Sequence, residues 1–127
     1  MSKGQSKTFL LYATVGGAAT AAHYLVLAVM VELAAVAAGT AAAIGALCGA
    51  AVAYLGNRRF AFAGSDTPHL QAIPRFALVA AVGVGLSAAV VGAGTAFTRV
   101  HYLAWQVLAT GLALLLTYAL NRRWTFA

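Results

Sequence analysis

Charge is what this 127-residue chain has least of. Eight Lys or Arg and two Asp or Glu make up 8% of it, where an average soluble domain is about a quarter charged. So few charges cannot cover the surface of a water-soluble fold, which excludes an ordinary soluble enzyme. The two acids, Glu32 and Asp66, offer no general acid/base pair. Cys48 is the single cysteine, so there is no disulfide framework. Histidines stand only at positions 23, 69 and 101, too scattered for metal-ligand spacing, so no metal and no other cofactor is expected. Disorder is excluded from the other side, because it requires low hydrophobicity and 63% of this chain is hydrophobic.

What is present is long apolar sequence, with a mean hydropathy of +0.89. The net charge of +6 and the pI near 10.1 would suit a nucleic-acid binder, but the positions of the charges do not. They divide the chain into four uncharged stretches: 24 residues at 8–31, 25 at 33–57, 23 at 76–98 and 22 at 100–121. About 20 apolar residues carry a helix across the hydrocarbon core. The reading is therefore an all-α integral membrane protein of four transmembrane helices, with no nucleic acid as partner. A transmembrane barrel needs at least about eight strands of alternating polarity, and these runs do not alternate. The expected helices span about Thr8–Val36, Ala41–Gly56, Pro74–Thr98 and Leu103–Leu120, with Pro74 in the first turn of the third. Gly64-Ser65-Asp66-Thr67-Pro68 marks the one clear loop.

Lys3, Lys7, Arg58, Arg59, Arg75, Arg122 and Arg123 fall on one side of such a bundle and only Arg99 on the other. By the positive-inside rule both termini and the central loop are expected in the cytoplasm, N-in and C-in. The expected location is the cytoplasmic (inner) membrane, crossed several times, with residues 1–127 forming one membrane domain. That domain repeats itself. Tyr54-Leu55-Gly56-Asn57-Arg58-Arg59-Phe60-Ala61-Phe62-Ala63 matches Tyr118-Ala119-Leu120-Asn121-Arg122-Arg123-Trp124-Thr125-Phe126-Ala127 at an offset of 64. Phe9, Gly16 and Thr20 match Phe76, Gly83 and Ser87 at an offset of 67. The repeats, about 8–63 and 75–127, are each a helix hairpin, and two spans per hairpin give both the same orientation, so they are parallel repeats about an axis along the membrane normal.

The doubled Asn-Arg-Arg-aromatic-x-Phe is the leading functional signal. A planar guanidinium can hold a phosphate through two parallel hydrogen bonds, so Arg58, Arg59, Arg122 and Arg123 are candidates for lipid-phosphate binding. Asn57 and Asn121 can cap the helix ends or bond a head group. Phe60, Phe62, Trp124 and Phe126 suit the interfacial aromatic belt. The same residues also suit plain anchoring, and four arginines at one interface attract anionic membrane lipid either way. Tyr12, Gly16, Thr20, His23 and Leu27 share one face of the first helix. His23, near mid-span, either meets a passing polar group or bonds a neighbouring helix. Glu32 and its counterpart Arg99 could form an outer gate, or simply be two interfacial charges. Gly45 and Gly49 make a GxxxG, and Ala88, Gly92 and Ala96 repeat the small-residue spacing, so each could pack within the monomer or between copies. A unit this small encloses little, which makes a homodimer an open expectation. Gly83-Val84-Gly85-Leu86-Ser87-Ala88 has the letters of a dinucleotide fingerprint but lies in an apolar span with no preceding strand.

Taken together, Val15-Gly16-Gly17, Thr20, His23-Tyr24, Glu32 and the two Asn-Arg-Arg motifs resemble the GtrA-like family of small four-helix membrane proteins, from Phe9 to Phe126. The resemblance implies a non-enzymatic function: flipping a polyprenyl-phosphate-linked monosaccharide across the cytoplasmic membrane for cell-surface polysaccharide or glycolipid synthesis. It also implies work alongside a membrane glycosyltransferase. On that implication the arginine pairs capture the phosphate, Tyr12, Thr20, His23 and Ser87 line the crossing, and Tyr54 and Tyr118 stack on the sugar. A scaffold that only recruits the glycosyltransferase is the alternative. A small-multidrug-type exporter fits less well, because its first helix needs a deep carboxylate where this one carries His23.

Overall fold

A computed structural model describes residues 2–127. Among them every regular element is helical: α1 Lys3–Glu32, α2 Ala38–Gly56, α3 His69–Phe97 and α4 Tyr102–Leu120. Short π-helical turns, Asn57–Ala61 and Asn121–Thr125, extend α2 and α4. All four helices are long and apolar enough to cross a membrane. At about 1.5 Å per residue, the 30 residues of α1 reach about 45 Å, beyond a hydrocarbon core of about 30 Å. Large apolar side chains lie exposed along every helix, among them Leu25, Leu47, Val84 and Val107. Water would penalise that surface and lipid does not. This is a multi-pass membrane protein.

The chain folds as two compact helical hairpins, residues 1–64 and 65–127. In the first, α1 starts five residues before the expected Thr8. Ser2 is the reason: its hydroxyl accepts from the Gln5 amide at 3.2 Å while the Gln5 side chain accepts from the Ser2 amide at 3.0 Å. This reciprocal cap satisfies two donors that a helix start leaves open. The helix ends at Glu32 rather than Val36, because Ala35 adopts a left-handed backbone, φ 53°, and the Val36 amide bonds back to the Met30 carbonyl at 2.9 Å. Tyr12, Val15 and Ala19 form the buried stripe of α1. Three glycines of α2 receive it. A Cβ on Gly45 would stand 2.8 Å from both the His23 carbonyl oxygen and its ring Cδ2, one on Gly49 2.9 Å from the Ala19 carbonyl oxygen, and one on Gly56 2.7 Å from Val15 Cγ1. These are below contact distance, so the helices can approach this closely only where α2 lacks side chains. The GxxxG of α2 is thereby used within the hairpin.

In the second hairpin α3 begins at His69, capped by Pro68, so Pro74 lies in the helix interior and not in its first turn. Its ring nitrogen cannot donate to the carbonyl four residues back, and the helix runs through it with Pro74 exposed. Ala72, Val79, Gly83 and Gly94 of α3 and Ala109 and Tyr118 of α4 are buried. Gly83 faces the Thr117 methyl, and a Cβ on Gly94 would overlap the Trp105 indole. Trp105 Nε1 donates to the Thr98 hydroxyl at 3.1 Å, and that hydroxyl donates to the Gly94 carbonyl at 2.6 Å. The corner is closed by His101, whose Nδ1 accepts from the Leu103 amide at 3.2 Å as the cap of α4.

Candidate functional site

Both Asn-Arg-Arg motifs fold into π-helical turns. At the end of α2 the Asn57 amide is shared between the Ala53 and Tyr54 carbonyls, and the Phe62 amide closes on the Asn57 carbonyl at 2.7 Å. At the end of α4 the Asn121 amide is shared between Thr117 and Tyr118, and the Phe126 amide closes on Asn121 at 2.9 Å. Hydrogen bonds five residues apart widen the turn, and such turns recur at functional sites. The widening brings the residue before the arginines and those four and five positions later onto one buried face. Asn57, Ala61 and Phe62 lie on it in the first turn, and Asn121, Thr125 and Phe126 in the second.

The motif's two aromatics therefore part company. Phe60 and Trp124 are exposed, as the interfacial belt requires. Phe62 and Phe126 are not in that belt: each is buried, Phe62 edge-on to Tyr12 at 6.1 Å and Phe126 tilted on Phe76 at 6.2 Å. They tie each turn to the first helix of its own hairpin. The asparagines are turned inward: Asn57 is 2% exposed and Asn121 1%.

The arginines stay at the surface, in unlike settings. Arg59, Arg122 and Arg123 are exposed. Arg59 lies over the Phe60 ring at 6.0 Å. Arg58 is half-buried, and its Nη1 is shut from solvent without a hydrogen-bond partner, as is Asn57 Oδ1 beside it. In the second hairpin Arg75 Nη1 donates to the Trp124 carbonyl at 3.0 Å, with its guanidinium 5.4 Å from the Trp124 ring. Sequence reasoning counted Arg75 only among the basic flanks. Its place beside Phe76, the partner of Phe126, was the available signal.

The other candidate residues are distributed along the hairpins. Tyr12 is buried against Phe62, and Tyr54 and Tyr118 are buried one turn ahead of their asparagines. His23 is half-buried over Gly45 and Gly49, with its ring 5.5 Å from that of Tyr24. Thr20 is exposed and its hydroxyl is turned to the Gly16 carbonyl at 2.9 Å. Ser87 lines an open groove of about 720 Å³ on the α3–α4 hairpin, together with Gly92 and Gln106. Gln106 was not anticipated, although it is a lone amide in an apolar run; its Nε2 donates to the Thr110 hydroxyl at 3.2 Å. Glu32 ends α1, and Arg99 sits in the connection between α3 and α4; both are exposed.

The family model of the GtrA/DPMS transmembrane domain matches residues 11–126, which take in both turns and all the helices but the first eight residues of α1. The chain belongs to this family. No curated protein and no solved structure matches it. Within this GtrA/DPMS domain the match opens beside Tyr12 and closes on Phe126, so the capping box at Ser2 and the lysines at 3 and 7 precede it.

Proposed function

We propose that this GtrA/DPMS protein translocates a polyprenyl-phosphate-linked monosaccharide across the cytoplasmic membrane, as a supplier of cell-surface polysaccharide or glycolipid synthesis, and makes or breaks no covalent bond. One observation carries the reading: two widened turns, each at the end of a membrane-length helix, hold adjacent arginines beside a buried asparagine. Such a lipid has an apolar tail that can stay in the bilayer and one anionic phosphate that must be gathered from the leaflet. Paired guanidinium groups at the lipid–water boundary meet that need. The seven-to-one distribution of basic residues supports placing both turns and both termini in the cytoplasm. The sugar then crosses past Tyr12, Thr20, His23, Ser87, Tyr54 and Tyr118, with Glu32 and Arg99 as the outer gate. The whole chain acts as one membrane domain, as a homodimer if one copy encloses too little, beside a membrane glycosyltransferase that uses the delivered sugar.

The test is transfer in sealed proteoliposomes loaded with polyprenyl-phosphate sugars, reading how fast each becomes accessible in the opposite leaflet. Protein-dependent movement that falls at least tenfold in the Arg58→Ala, Arg122→Ala double variant is the expected result. Undiminished movement in that variant refutes phosphate capture by the turns. No movement with any sugar from correctly folded protein leaves the glycosyltransferase scaffold as the function.

A further inference from the structure

The two Asn-Arg-Arg turns match in sequence and differ in what surrounds them. The 121–125 turn is strapped. Arg75 donates to the Trp124 carbonyl and stacks on the Trp124 ring, and the Thr67 hydroxyl donates to the Ala127 carbonyl at 2.6 Å just beyond it. Arg122 and Arg123 take no part in these bonds and lie exposed. The equivalent position of the first hairpin carries no arginine. The offset of 67 that aligns Phe9 with Phe76 puts Thr8 where Arg75 stands. Thr8 is too short to reach across, and its hydroxyl is spent on the Gly4 carbonyl at 2.9 Å.

What sets the 57–61 turn apart is an arginine nitrogen: the 121–125 turn also encloses an unbonded polar atom, Thr125 Oγ1, but both of its arginines are exposed. Arg58 Nη1 and Asn57 Oδ1 are enclosed and without partners. Native structures seldom leave a buried donor or a buried acceptor unpaired, and one of each on adjacent residues calls for a ligand. The donor asks for an anionic oxygen and the acceptor for a hydroxyl. The 1–64 hairpin has no carboxylate at this end to supply the anion: its one acid, Glu32, lies 20 residues beyond Tyr12, about 30 Å along α1.

We propose that the two turns have divided roles: the 57–61 turn is the binding site for the ligand phosphate, through Arg58 with Asn57 accepting from a neighbouring hydroxyl, and the Arg75-strapped 121–125 turn is a structural anchor. The ligand class is a phosphate ester that carries a hydroxyl close to its anionic oxygen, as a glycosyl phosphate does. This rests on the capture reading above and assigns it to one of the two motifs.

The experiment measures binding of a polyprenyl-phosphate monosaccharide to the full chain in nanodiscs of zwitterionic lipid. Arg58→Ala is expected to weaken binding at least tenfold, and Arg122→Ala and Arg123→Ala less than threefold. Arg58→Lys keeps the charge without the planar fork and is expected to fall between. It guards against a folding defect, as does unchanged thiol labelling of Cys48 in each variant. Excess phosphatidylmethanol, an anionic phosphodiester with no hydroxyl, should leave the wild-type complex largely intact. Equal losses at Arg58 and Arg122 overturn the division of roles and leave capture by both turns standing. Full displacement by phosphatidylmethanol overturns the ligand class. Unchanged binding in all the variants overturns the division and the capture reading together.

Discussion

Replacing Gly45 by alanine tests how the first hairpin is held. The added Cβ would meet the His23 carbonyl oxygen and the His23 ring, each at 2.8 Å. Contact is most favourable near about 3.5–4.0 Å, so α1 and α2 must part locally by about 0.7 Å or more. One of the two obstacles is backbone, so a change of side-chain rotamer cannot relieve it. Overpacking of this kind costs about 1–3 kcal/mol. Alanine also favours helix over glycine by about 1 kcal/mol, which would mask part of the effect. Gly17→Ala is the matched control, because a Cβ there meets nothing within 4 Å and the same intrinsic gain applies. The molecule carries its own probe. Cys48 is the single cysteine, half-buried on α2 between Gly45 and Gly49. Where reclosing outpaces labelling, maleimide reacts in proportion to the open fraction. A difference of about 1–3 kcal/mol should make Gly45→Ala label about 5- to 150-fold faster than Gly17→Ala in the same micelles. Adding His23→Ala should restore only part of the difference, since the carbonyl oxygen stays in place. Labelling of Gly45→Ala within twofold of Gly17→Ala would show that this glycine does not lie in the seam between the helices.

Three further outcomes follow from single positions. Gly94→Ala drives a methyl into the Trp105 indole and should destabilise the second hairpin by about 2 kcal/mol or more, seen as a lower unfolding midpoint and altered tryptophan fluorescence. Ala35→Gly relieves a left-handed backbone at the α1–α2 connection and should stabilise by about 0.5–1 kcal/mol; a lowered midpoint in thermal unfolding would contradict it. Thr125 is fully buried and its hydroxyl has no partner, so Thr125→Val removes an unpaired polar group at almost constant shape. That variant should be about 1 kcal/mol more stable in a denaturant titration, and a loss of stability would mean that the hydroxyl is bonded in the membrane.

Much was readable without coordinates because the membrane imposes a simple condition. With no water in the bilayer core, backbone groups must be bonded within the span, so uncharged runs of 22–25 residues had to be helices. The ends were harder to place. They depend on local bonds such as the Ser2–Gln5 box and the turn at Ala35, which an apolar count does not register. Pro74 misled for a related reason: proline suits a first turn, but the start was decided by Pro68 and the Gln71 and Ala72 amides that bond to its carbonyl.

The candidate site divides in the same way. The sequence by itself determined that two Asn-Arg-Arg-aromatic-x-Phe segments follow two apolar spans, because composition and spacing are properties of a single strand of text. Tertiary structure decided their geometry. A bond five residues long turned Asn57 and Phe62 inward and left Phe60 out, a choice made by backbone hydrogen bonding and by the Tyr12 ring. It decided that Gly45 and Gly49 receive His23 within one hairpin, since only the facing helix reveals which small residues are needed for close approach. It also decided that Arg75 belongs to one turn while Thr8 cannot serve the other. That contrast depends on which side chain reaches across 49 residues of chain to a particular carbonyl, and no local pattern encodes such a reach.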